Sequence, residues 1–199
     1  MEIKVSTLNQ ICEILTGFQF RGKVESDRNG KVMVIQMKDF STEERIFLNK
    51  ENLTQIKEIN FSAKYLIRKN DVLLCARGSN NFAMIMEKDL NDTIAASQFY
   101  ILRNFKGNVF PGFVAAFLNH PKTQRLIASL RGGTATQILN SKALGEIPIP
   151  LPKLEIQQII AKIFNLQQAE KTIFKQLQIK REYLINTTIE NALEGTLHE

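Results

Sequence analysis

Three of the five prolines of this 199-residue chain fall in one run, Ile147-Pro148-Ile149-Pro150-Leu151-Pro152. Proline fixes φ, lacks an N–H and keeps the preceding residue out of the helical region, so this run must be extended, and it reads as a hinge. Behind it, Lys153 to about Leu193 contains no Gly or Pro and is rich in Leu, Ile, Gln, Glu and Lys. That is the composition of one long helix, about 60 Å at 1.5 Å per residue, with Gly195 as its stop. Alternate steps of four and three from Ile159 reach Ile163, Leu166, Glu170, Ile173, Leu177, Lys180 and Leu184. Six of these positions, Ile159, Ile163, Leu166, Ile173, Leu177 and Leu184, make an apolar seam of 3.5-residue period and are the candidate dimerisation residues. Such a seam wants a partner helix; the other arrangement open to it is a helix folded back on its own domain.

The run divides the chain into a domain of residues 1–150 and a hinge-plus-helix segment of residues 151–199. The first part reads as mixed α/β, a small sheet with flanking helices. Ser6 caps a short helical turn through Gln10, and Ile11 to Thr16 extends toward a loop at Gly17. Short strands are expected at Lys31–Met37, Asp71–Ala76, Phe82–Met86 and Gln98–Asn104, all mostly apolar or β-branched. Pro111 opens a helix to about Leu118, and Pro121 opens a second that ends at Arg131-Gly132-Gly133.

Charge is unevenly spread. Of 26 Lys+Arg and 20 Asp+Glu, residues 151–199 hold six of each, so the whole excess of +6 lies in residues 1–150. A basic domain beside a neutral helix suits a polyanion partner. Cys12 and Cys75 each sit alone in an apolar run, as buried thiols rather than a metal clamp or disulfide. No stretch of 18 apolar residues and no basic-then-apolar start is present, which reads as a soluble, cytoplasmic protein.

Catalytic signatures are missing. The sequence has no GxGxxG, GxxxxGK[ST], HExxH or GxSxG, no Asn/Asp-Pro-Pro-aromatic element, and no Pro-Asp followed by Glu-x-Lys. His120 and His198 stand without ligand-spaced companions. The chain therefore reads as a binder with no catalytic residue, metal or cofactor of its own. Two loops carry the side chains that read base edges. Arg77-Gly78-Ser79-Asn80-Asn81 follows an apolar strand, and Arg131-Gly132-Gly133-Thr134-Ala135-Thr136-Gln137 follows a helix. Arginine bonds guanine O6 and N7 together, and Asn bonds adenine N6 and N7. A third stretch, Gly17-Phe18-Gln19-Phe20-Arg21-Gly22-Lys23, mixes basic residues with aromatics better suited to the core than to base stacking. Candidate base readers are Arg77, Ser79, Asn80, Asn81, Thr134, Thr136 and Gln137; Arg21, Lys23, Lys38 and Arg131 are candidate phosphate contacts, which position without specifying.

In combination these residues resemble the specificity subunit of type I restriction-modification systems. Leu66-Ile67-Arg68-Lys69-Asn70-Asp71-Val72-Leu73-Leu74 is similar to that family's basic-Gly-Asp-aliphatic element. The stretch from Leu139 to Ile160, with Leu144, the proline run, Leu154 and Gln157, resembles its passage from target recognition domain to conserved helix. Leu8, Ile14, Gly17 and Gly133-Thr134 fit the same order. Departures are Asn70 in place of the usual glycine, and Lys153 and Ile156 in place of a second proline and an acid. The family normally has two recognition domains and two long helices, so this chain resembles a half-length form with one of each. The resemblance implies a homodimer with antiparallel helices that places two recognition domains on a bipartite duplex DNA target. It also implies a partner modification subunit that binds S-adenosylmethionine and methylates, and a restriction subunit that cleaves. Two other functions stay open: a decoy or scaffold that occupies a methyltransferase without DNA specificity, and a small DNA-processing enzyme with an unrecognised site.

Overall fold

The computed structural model describes residues 3–40, 53–57, 60–77, 81–132 and 138–196. These fall into two units, Met1–Ala161 and Lys162–Glu199. Strand β1 (Lys4–Thr7) leads into one helical turn, α1 (Leu8–Ile11), and then β2 (Glu13–Thr16). Next come β3 (Val32–Ile35), β4 (Thr54–Ile56), β5 (Leu66–Ile67), β6 (Val72–Cys75), β7 (Ala83–Ile85), β8 (Leu90–Ala95) and β9 (Phe99–Arg103). Helices α2 (Pro111–Asn119) and α3 (Pro121–Ser129) precede a ribbon of β10 (Arg131–Gly132) and β11 (Ile138–Leu139). The order closes with α4 (Ser141–Gly145), β12 (Pro148–Leu151) and α5 (Leu154–Thr196).

The apolar run at Val72–Cys75 explains the layering. A strand with no polar side can be satisfied only by burial on both faces. Val72 and Leu74 join one core with Leu8, Phe113, Leu118 and Ile127, under α1, α2 and α3. Leu73 and Cys75 join a second core with Ile35, Phe40 and Ile67. β9 repeats the alternation, with Tyr100 and Leu102 on the helical side and Phe99 and Ile101 on the other. Accordingly β6 and β9 are the central strands of an antiparallel sheet ordered β2-β9-β6-β7. The second core separates it from another sheet, β4-β3-β8-β5, in which β3 and β8 run parallel. The far face of this sheet is covered by Phe18, Phe20, Val24, Phe61 and Tyr65. Phe18 makes edge contacts with Phe20, Phe61 and Tyr65, so the aromatics of the Gly17–Lys23 stretch are core, as expected.

The mixed α/β class and the long C-terminal helix stand, with several local corrections. The small sheet is two four-stranded sheets. The first helical turn is capped one residue later than expected, by Thr7, whose N–H donates to Gln10 Oε1 at 3.0 Å, while Ser6 lies in β1. The proline run is extended, but it is a strand rather than a hinge. β12 pairs antiparallel with β1, Ser6 opposite Ile149 and Lys4 opposite Leu151, and Ile147 and Ile149 are buried in the first core. Pro148 and Pro150, lacking N–H, alternate with the residues that can donate to β1, so the ladder loses nothing to them. Gly195 lies inside α5 rather than ending it. The expected strands each lose a residue or more at the ends, for instance Val32–Ile35 against Lys31–Met37.

The first turns of α5, through Ala161, belong to the first unit, where Ala161 is 3% exposed and would sit 3.3 Å from a Cβ added to Gly112. Beyond it, the expected seam is exposed along the helix: Ile163, Leu166, Ile173, Leu177 and Leu184 at 57–64%, like Ile159 at 52% in the first unit. Ile185, Ile189 and Leu193, spaced by four, are exposed too. At about 3.6 residues per turn they lie on a different side of the helix from the four-three ladder, roughly 100° to 180° around from Leu184. Both cysteines are buried thiols, as expected. Among the described residues no helix is long and apolar enough to cross a membrane.

Candidate nucleic-acid interface

Register places several loop origins at one end of the stacked sheets. Thr16 pairs with Tyr100 and Cys75 with Phe99, so the last residues of β2 and β6 flank the first residues of β9. Ile35 pairs with Ala95, and the Ala96 N–H donates to Ile35 O at 3.0 Å, which brings the end of β3 to the same turn between β8 and β9. Gly17 packs into that turn: its N–H donates to Phe99 O at 2.9 Å, and a Cβ there would lie 2.3 Å from Ala96 O. Only glycine allows this approach.

Arg77 is exposed at this end, directly after β6. Its backbone is fixed from below, because the Cys75 thiol donates to Arg77 O at 2.9 Å and lies 3.1 Å from Met37 Sδ. Met37 opens the helical turn Met37–Asp39, which carries Lys38 exposed beside the same strand end. Burial pushes the Asp39 carboxyl up, opposed by the Gln36 N–H that it accepts at 2.7 Å and by the Lys38 charge. The second loop arrives here as well. β10 and β11 pair, Arg131 opposite Leu139, and the Leu139 N–H donates to Ala76 O at 2.9 Å. The Tyr100 hydroxyl donates to Leu139 O at 2.6 Å; burial pushes this phenol up, opposed by Ser141 hydrogen bonds and the Arg77 charge. Stretches some sixty residues apart in sequence thus share one strand end.

Not every candidate lies there or is available. Asn81 is a correction: it is fully buried, and its amide donates to Cys75 O at 2.7 Å while its own backbone O accepts from Gln124 at 2.6 Å. It closes the loop rather than reading a base. Lys23 lines a different cleft with Glu25, Asp27, Arg28 and Lys57, near Ile56 and hence at the opposite end of β3 and β4. Arg21 is exposed in the intervening stretch after Phe20. Arg131 is placed through its backbone. Ser79, Asn80, Thr134, Thr136 and Gln137 lie outside the described residues.

Sequence reasoning passed over Gln98. It sits in the turn between β8 and β9, its backbone O accepts from Ala76 N–H at 2.7 Å, and its Oε1 is buried with no partner among the described residues. The polar pair Ser97-Gln98 between two apolar strands was the available signal. Also unforeseen is the role of Asp71 in the Arg68-Lys69-Asn70-Asp71 element. Asn70 has φ 69°, the left-handed region that glycine or asparagine takes most readily, which accounts for the exchange at that position. Asp71, 2% exposed, accepts from Arg103 Nε at 3.0 Å and Nη2 at 2.5 Å, and from Arg68 N–H at 2.8 Å. Arg103 also donates to Lys64 O and Leu66 O, both at 2.8 Å, so one buried guanidinium ties β9 to the chain entering β5. Burial pushes the Asp71 carboxyl up, and the Arg103 and Arg68 hydrogen bonds oppose it. His120 caps α3, accepting the Lys122 N–H, and among the described residues no group of three His, Cys, Asp or Glu could hold a metal.

Known proteins share this architecture. The specificity subunit of the type I restriction enzyme EcoBI from Escherichia coli is 30% identical over 123 residues, 61% of this chain and 26% of that one. The S subunit of a type I restriction-modification system from M. genitalium superimposes with a TM-score of 0.57 at 16% identity, over 91% of this chain and 43% of that one. The HsdS subunit from Thermoanaerobacter tengcongensis gives 0.59 at 18% identity, over 88% and 39%. At such identities the likeness is one of fold, and the chain spans less than half the length of each of these relatives. The model of one family, the type I restriction modification DNA specificity domain, matches residues 1–183, and the chain belongs to that family.

Proposed function

We propose that this chain is a cytoplasmic, non-catalytic, sequence-specific duplex DNA recognition subunit that directs a type I methyltransferase to a bipartite target. The observation that carries the reading is the Leu139 N–H to Ala76 O bond, which sets the β10–β11 ribbon against the root of the Arg77 loop. A rigid sheet end presenting an arginine fork and a lysine, with a second polar loop beside it, has the parts that base-edge readout and phosphate positioning require. Two copies pair through the exposed seam of α5, and the modification subunit supplies S-adenosylmethionine and chemistry; a restriction subunit completes the assembly where cleavage occurs. Selection of binding sites from random duplexes, with the purified modification subunit present, tests this. The reading expects one enriched motif, lost when Arg77 and the ribbon loop are both replaced; enrichment of no motif would support a scaffold instead.

A further inference from the structure

A groove of about 1010 Å³ lies at the other end of the first sheet. Its floor is the β1–β12 ribbon with Lys4 opposite Leu151; its walls are the 106–109 loop and the first turn of α5. The walls are tied down. The Lys106 N–H donates to Ile11 O at 2.8 Å. The Gln157 side chain, 1% exposed, accepts the Phe110 N–H at 2.9 Å and donates to Asn108 O at 2.9 Å and Pro152 O at 2.8 Å. One buried amide thus locks the loop to the helix start, and the groove is preformed rather than a gap between moving parts.

Its chemistry is lopsided. Lys4, Lys106 and Lys153 line it, and among the described residues no Asp or Glu does. Between them stand Ile3, Val5 and Ile156, exposed at 54%, 60% and 46%. Bare ammonium groups around exposed aliphatic side chains favour a ligand that brings carboxylates and apolar groups together. Duplex DNA brings phosphates but no apolar side chains, and it is engaged elsewhere. Lys106 follows Arg103, which pairs with Glu13 at one end of β9, whereas Arg77 follows Cys75, which pairs with Phe99 at the other. The two faces are separated by the length of the strand.

We propose that this groove docks an extended segment of a protein partner in which acidic residues alternate with aliphatic ones. The choice of protein over duplex rests on the reading of the Arg77 end as the DNA face.

Random peptides displayed on phage and selected on the immobilised full chain test it, followed by fluorescence polarisation with synthetic copies of the winners. Winners rich in Asp or Glu spaced with Leu, Ile or Val, binding the K4E/K106E/K153E variant at least tenfold more weakly, are the expected result. The milder K4Q/K106Q/K153Q variant, with its melting temperature checked, guards against loss of fold and should weaken binding in the same direction. Neutral or basic winners, no enrichment, or equal affinity for all three proteins would overturn the proposal. Mobility shift of duplex DNA on the same proteins separates the two faces. Unchanged duplex binding supports the groove as a protein site, and a duplex affinity that falls with the lysines would mean that it holds phosphates. Loss of Arg77 without effect on duplex binding, with peptide binding still lysine-dependent, would remove the DNA reading and leave the groove.

Discussion

Arg77 and Lys38 lie at one strand end, where the proposed recognition gives them different tasks. Arg77→Ala should cost about 1–3 kcal/mol of binding and relax preference at one base pair, whereas Lys38→Ala should weaken all duplexes alike and reduce the salt slope by about one ion. Titrations of cognate and scrambled duplexes at several salt concentrations separate these outcomes. The buried pair below the interface is a matter of stability. Replacing Arg103 by Met strands the Asp71 carboxylate and should cost about 3–5 kcal/mol in denaturant unfolding. With the Arg103 hydrogen bonds and charge gone and only the Arg68 contribution left to oppose it, burial holds the folded carboxyl further above its unfolded range. A raised acid pKa means that the variant recovers stability as pH falls and the carboxyl takes up its proton, and loses it as pH rises through the folded pKa. Cys12, whose thiol burial pushes to about 12, is the alkaline counterpart. From pH 9 upward the unfolded chain ionises first, so the parent should lose about 1.4 kcal/mol per pH unit that a Cys12→Ala variant keeps. Residue by residue, the sequence displayed exposed chemistry better than buried chemistry. Arg77 and Lys38 were legible as exposed basic side chains, and the cysteines as buried thiols. Asn81 was not legible as a buried staple, since an amide that bonds Cys75 O looks the same in sequence as one that faces adenine. Asp71 gave no sign of its partner, which lies 32 residues away in another strand.

At the level of elements, helices with explicit start signals were readable: Pro111 and Pro121 open α2 and α3, and the Gly- and Pro-free stretch is α5. Strands were readable where burial on both faces makes a continuous apolar run, as in β6 and β9. β4, β5 and β8 escaped because they are short or, like Leu90-Asn91-Asp92-Thr93, interrupted by polar residues. The proline run was misjudged for a physical reason: proline dictates extension, but whether an extended segment pairs depends on a strand, β1, at the far end of the unit's sequence. For α5 the exposed seam predicts association. Replacing both Leu177 and Leu184 by Glu would bury charge in a helix pair with no spare partner for it and should convert dimers to monomers. Light scattering reads the mass directly, and an unchanged dimer would place the interface away from the ladder.

Over the whole molecule, the proposed pairing of two copies about a two-fold axis would impose its symmetry on the target. The site should be a gapped inverted repeat whose spacing is set by α5. A helix of 43 residues is about 65 Å long, and deleting one heptad between Thr172 and Tyr183 keeps the seam in register while shortening the span by about 10 Å, roughly three base pairs. The family was readable because its elements recur in order, while the convergence of the Arg77 loop, Lys38 and the β10–β11 ribbon was not, because sheet register alone creates it. The methylome of cells carrying the chain and its modification subunit, compared for the parent, Arg77→Ala and the heptad deletion, tests the central claim most directly. The account predicts a gapped inverted repeat in which Arg77→Ala relaxes one position of each half at unchanged spacing, and the deletion narrows the gap at unchanged bases. An undivided site, or one motif common to all three proteins, would contradict it.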